Sequence, residues 1–144
     1  MKCRISPRCR GVLKRGEFMG IVAILRHEET VRIDPDRLTE LFVNLGEATA
    51  EEFICRAVED LAIKISEIKC ASLEKRYDLL KFGSVQVAEI ATRVGLTSLA
   101  RVALDVDYCL KVKADTALSA TVARLIRIGE MSLLKIWDER DLSV

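Results

Sequence analysis

Residues 78–110 read DLLKFGSVQVAEIATRVGLTSLARVALDVDYCL, and the class of fold turns on them. Leu80, Ser84, Val87, Ala91 and Val94 recur at spacings of three and four, which lines them up as one ridge of a helix. Gly95 then stops that helix, because glycine takes the left-handed backbone of a helix end without a steric penalty. Thr97 or Ser98 has the hydroxyl expected of an N-cap, and Leu99, Val102, Ala103, Val106 and Leu110 follow as the inward ridge of the next helix. The stretch therefore predicts two amphipathic helices joined by a short turn.

The pattern continues in both directions. Upstream, Asp34-Pro35 predicts a helix start, with the aspartate as cap and the proline at the first helical position, where a backbone N–H is not needed. Leu38, Leu41, Phe42 and Leu45 form its apolar stripe, and Gly46 its end. Thr49-Ala50-Glu51-Glu52 has the form of a capping box, which places the start of a long second helix at Thr49. Ile54, Ala57, Leu61, Ile65 and Ile68 point inward, and this helix is expected to end between Ser72 and Arg76. Downstream, Asp115 is expected to cap a fifth helix carrying Leu118, Val122, Leu125, Leu133 and Ile136, with Gly129 as a site of kinking. Short connections imply antiparallel neighbours. The expected fold is all-α: an antiparallel up-down four-helix bundle with an N-terminal extension. Residues 19–144 are read as one helical domain and residues 1–18 as a basic, disordered arm. Between them, Glu17 to Glu29 fits a short helix or an edge strand equally well.

Composition agrees with this class. Half of the 144 residues are hydrophobic and 31% are charged, the balance of a packed domain rather than a disordered chain. Seven glycines and two prolines suit long helices better than a many-turned β-sandwich. Aromatics make up only 5%, so the core must come from Leu, Ile, Val and Ala.

The net charge of +1 is unevenly spread. Residues 1–16 hold Lys2, Arg4, Arg8, Arg10, Lys14 and Arg15 and no acid, which leaves seventeen bases against twenty-two acids in the remainder. Such an arm is able to touch nucleic acid or an anionic membrane. It lacks a base-stacking aromatic and any DNA-binding motif, so neither partner is expected, and Met19 is a plausible alternative start. The apolar run Met19–Leu25 is too short to span a membrane. It is followed at once by Arg26, His27, Glu28 and Glu29 with no small-residue cleavage site, so it is not read as a signal peptide.

Cys3, Cys9, Cys55, Cys70 and Cys109 are odd in number and contain no C-x-x-C pair. Three of them fall within helical patterns, where a free thiol packs as a small apolar group. No metal and no cofactor is expected, and a reduced, cytoplasmic protein is the simplest reading.

Few residues are equipped for catalysis. His27 is the only histidine. With Glu28 beside it, it resembles the phosphoacceptor box of sensor histidine kinases. However, the Thr or Asn and the Pro that the box requires are replaced by Val31 and Arg32. A lone histidine leaves little room for a Ser-His-Asp or Cys-His site. Asp105 with Asp107, or Glu51 with Glu52, do not share a helix face as an acid–base pair would. The Glu-x-x-His motifs of di-iron bundles, a phosphate-binding glycine loop and H-E-x-x-H are all lacking. The chain is read as a non-enzyme.

From Asp34 to about Leu134 the order of elements resembles the histidine-phosphotransfer domain of bacterial two-component phosphorelays. Ile33-Asp34-Pro35-Asp36-Arg37-Leu38 and Leu41-Phe42-Val43-Asn44-Leu45-Gly46 look like that family's opening helix, and the helix from Thr49 like its second. Val87 to Ala100 looks like the end of its signature helix, the glycine turn and the following helix. The family's signature is a histidine, a lysine three residues later and a glycine next to it. Counted back from Gly95, the histidine position falls on Val85 or Gln86, the lysine on Ala88 or Glu89, and the glycine on Glu89 or Ile90. None of the three is kept, so the atom that accepts the phosphoryl group is missing.

What the resemblance still implies is a docking surface for the receiver domain of a response regulator, or for a histidine kinase. The expected contact residues are Val85, Gln86, Glu89 and Arg93, acting by occupancy without group transfer. Three alternatives stand beside this: an active phosphotransfer protein using His27, a structural or nucleic-acid-associated protein acting through the basic arm, and a homodimer with no further activity.

Overall fold

The computed structural model describes residues 29–141, with side chains to Asp138. The basic arm, the segment from Glu17 to Glu28 and His27 lie outside the described residues.

Every regular element described is helical: α1 Pro35–Leu45, α2 Glu47–Leu73, α3 Tyr77–Arg93, α4 Thr97–Lys111 and α5 Asp115–Asp141. From α2 onward each helix packs against the next, and α5 returns to pack against α2. Helix α1 packs against α2.

The start of α1 follows from its sequence. The Asp34 side chain accepts hydrogen bonds from the Asp36 and Arg37 N–H groups at 3.1 and 3.5 Å, and Pro35 occupies the first turn. Gly46, at φ 80°, ends α1 and begins α2 within one residue. That single-residue reversal overturns the expected capping box: α2 starts at Glu47, Gly46 is its cap without a side-chain bond, and Thr49 lies inside the first turn.

The connections α2–α3, α3–α4 and α4–α5 share one construction. Each has a residue in the left-handed region, respectively Lys75 (φ 54°), Gly95 (φ 80°) and Lys113 (φ 53°). In each, the next N–H reaches back five residues: Arg76 to Ala71, Leu96 to Ala91 and Ala114 to Cys109, at 2.9, 2.8 and 3.1 Å. This is the Schellman closure, which satisfies the last carbonyls of one helix while starting the next. The residue after the left-handed one leads into the next helix, so the N-cap position falls on Arg76 for α3 and on Leu96 for α4, neither with a side-chain cap bond. Leu96, rather than Thr97 or Ser98, caps α4 without a side-chain bond, and Asp115 is the first residue of α5 rather than its cap.

The hydroxyls of Thr97 and Ser98 are used elsewhere. Thr97 Oγ1 donates to the Arg32 carbonyl at 3.3 Å, and Ser98 Oγ accepts from the Arg32 N–H at 2.9 Å and donates to the Thr30 carbonyl at 3.4 Å. Together with the Asp34 N–H to Gly95 carbonyl bond of 2.8 Å and the Lys135 Nζ to Val31 carbonyl bond of 3.0 Å, they strap residues 30–34 across α4 and α5. Glu29 continues the strap by pairing with Arg124 at 2.8 Å.

The inward ridges fall where their spacing predicts. Leu80, Ser84, Val87, Ala91 and Val94 are buried, as are Ile54, Ala57, Leu61, Ile65 and Ile68, and Leu99, Val102, Ala103 and Val106. In α5, Leu118, Val122, Leu125 and Ile136 are buried, whereas Leu110 and Leu133 are only partly covered. Gly129 does not break α5, which runs through it unbroken. Its role is close approach: a Cβ there would lie 2.5 Å from Ile65 Cδ1 of α2. Among the described residues no helix is long and apolar enough to cross a membrane.

Candidate functional site on the outer face of helix α3

Helix α3 is held by neighbours on two sides, α2 and α4. Its ridge of Leu80, Ser84, Val87 and Ala91 turns inward, so the opposite side must face solvent. Asp78, Phe82, Val85, Glu89 and Arg93 occupy that side at spacings of four, three, four and four. All five are exposed.

The four residues expected from the sequence thus lie along one face of one helix. Val85 is 37% exposed, and Gln86 is half-buried at the edge of the face. Its Oε1 atom is enclosed and has no hydrogen-bond partner. Glu89 and Arg93 form no ion pair among the described residues. The face is bordered by α2, whose Ile68 lies against Gly83, and the preceding turn of α2 carries the part-buried Lys64–Glu67 pair at 2.8 Å.

Sequence reasoning missed Phe82, which is 63% exposed and lies one turn before Val85 and Gln86. Its spacing to Val85 and Glu89 was the available signal. Leu79 is likewise exposed beside it. On the neighbouring helix, Leu104 and Tyr108 are exposed as well. On the same helix Asp107 is buried, with Oδ2 2.6 Å from Lys111 Nζ and Oδ1 enclosed without a partner.

Grouped exposed apolar side chains with a polar margin are the mark of a protein-docking surface, because a contact there removes apolar area from water. Gln86, Glu89 and Arg93 supply that margin. The ionisable groups of the face are the carboxylates of Asp78 and Glu89 and the Arg93 guanidinium, with the exposed Lys81 ammonium at its edge, and they can pair with a partner's charges.

An open groove of about 470 Å³ lies near the end of this face, where Asp34 and Arg37 meet Thr92, Gly95, Arg101 and Asp105. Its two arginines stand with two aspartates, so it favours neither sign of ligand. Among the described residues no group of three His, Cys, Asp or Glu side chains is placed to hold a metal ion.

No protein-family model, no curated protein and no solved structure matches the chain.

Proposed function

We propose that the chain is a docking module of histidine-phosphotransfer type, which binds a receiver domain through the outer face of α3 and transfers no phosphoryl group. The observation that carries this reading is the exposure of Phe82 and Val85 on the helix that corresponds to the family's signature helix. Val85 or Gln86 stands where the family has its acceptor imidazole, and no histidine follows His27 in the chain. Supporting the same reading, the packing of α2–α5 is cyclic and each connection between them is three residues long. Such short connections favour an antiparallel up-down bundle, with α1 and the 29–34 strap as its extension.

In this mechanism Phe82 and Val85 form the desolvated centre of the contact. Gln86, Glu89 and Arg93 fix its register with polar bonds at the margin. The bound receiver is then denied to an active phosphotransfer protein, so the module acts by occupancy. The place of action follows that of phosphorelays, in the cytoplasm.

The test is a phosphotransfer assay with a phosphorylated receiver domain and its kinase, with binding followed in parallel by calorimetry. Binding without label on the module is expected, and Phe82→Asp should weaken it by about thirtyfold or more, the loss typical of a central aromatic contact. Label on the module would overturn the occupancy mechanism. His27→Gln would then show whether that imidazole is the acceptor.

A further inference from the structure

The outer ridge of α3 has a polarity that docking of an unrelated partner does not require. It begins with an acid, Asp78, continues through Phe82 and Val85, and ends with Glu89 and a base, Arg93. Asp78 is 75% exposed, and the nearest cation is Arg76 Nη2 at the limit of pairing, 4.0 Å. Arg93 is exposed and forms no ion pair among the described residues.

With Phe82 and Val85 at the centre of the contact, this order is self-complementary at both ends in one arrangement. Two α3 helices placed parallel set Asp78 against Asp78 and Arg93 against Arg93. Placed antiparallel with Phe82 opposite Val85, they set Asp78 against Glu89. Placed antiparallel and centred between Val85 and Gln86, they set Asp78 of each copy against Arg93 of the other. Phe82 then packs over Val85, Gln86 and the aliphatic stem of Glu89. Opposite charges across helices select register and direction in this way, and a two-fold axis makes every contact occur twice.

We infer that the outer face of α3 pairs antiparallel with α3 of a second copy of this chain, through Phe82 and Val85 at the centre and Asp78–Arg93 at both ends. This rests on reading that face as a docking surface, and it adds a regulation: self-pairing hides Phe82 and Val85 from any other partner. One helix of 17 residues offers less surface than a permanent dimer uses, so the pair forms and separates with protein concentration.

Sedimentation of the full chain from micromolar to millimolar concentration tests it. The mass should move from one copy towards two. Asp78→Arg should weaken the pairing by about tenfold, because two attractions become two repulsions at exposed positions. Arg93→Asp should do the same. The doubly exchanged Asp78→Arg, Arg93→Asp chain should recover pairing to within about threefold of the original. That recovery separates the stated contact from a general loss of helix stability, which both exchanges would worsen near the helix ends. A chain that stays single at millimolar concentration, a pairing that the single reversals leave unchanged, or a double exchange no better than the singles would each overturn the inference. Calorimetry with the receiver at concentrations where the chain is single keeps the two readings apart. Receiver binding by a chain that never self-pairs removes only the pairing. Self-pairing by a chain that binds no receiver removes only the proposed partner.

Discussion

Helices α1 and α3 present apolar ridges of the same spacing, and only one becomes core. Leu38, Leu41, Phe42 and Leu45 make α1 the most sharply amphipathic of the five helices, yet it has no buried residue. Leu80, Ser84, Val87 and Ala91 on α3 are at most 2% exposed. The difference lies in what surrounds them. Helix α3 is gripped by α2 and α4, whereas α1 packs against α2. Spacing tells which side of a helix points inward; the number of neighbours decides how deep that side goes.

Truncating the deep ridge should have the largest effect. Leu80→Ala is expected to cost about 2–5 kcal/mol, the range for a fully enclosed leucine that leaves a cavity. Urea denaturation measures it, and a loss near that of an exposed leucine would erase the contrast with α1. Gly95→Ala comes next at about 1–2 kcal/mol, because Gly95 holds a left-handed backbone and an added Cβ would sit 3.0 Å from the Asp34 carbonyl. Since Asp34 begins α1, hydrogen exchange should speed up most in the α1 amides; a uniform change would deny the link. Leu45→Ala should cost less than about 1 kcal/mol, as that side chain is 43% exposed. The smallest effect has the opposite sign. Lys75→Gly should raise stability by about 0.5 kcal/mol, the left-handed penalty of lysine slightly exceeding the chain entropy of glycine. A melting-temperature shift of the wrong sign would show that the Lys75 side chain contributes something beyond its backbone.

The helices themselves were legible because their apolar spacing is regular, and the inner ridge of α3 could be named residue by residue. Helix starts were harder to read. Thr49, Thr97, Ser98 and Asp115 are all residues of capping type, and none of them caps. Their helices begin at or ahead of them, at the residue after Gly46, Leu96 or Ala114, and only Gly95 of the three left-handed corner residues advertises its conformation. Gly129 looked like a defect in α5 when read along its own helix; its purpose lies across the interface, at Ile65. At the candidate site, Val85, Gln86, Glu89 and Arg93 were named from the resemblance to a family motif, and helical spacing sets Val85, Glu89 and Arg93 on the exposed side of α3. Phe82 lies one turn ahead of that motif, so the resemblance carries no signal for it. The partial burial of Gln86 is set by packing between elements, which no local pattern records.

The strap at residues 29–34 has a practical corollary for labelling. Glu29 meets α5 at Arg124, and α5 packs against α2 and α4, the same two helices that flank α3. Helices α3 and α5 therefore occupy opposite corners of the packing cycle. Glu29 thus sits on the side of the packing cycle that carries α5, whereas Phe82 lies on α3. A probe carried on an exposed side chain of α5, such as Glu130, is expected to leave the α3 face accessible.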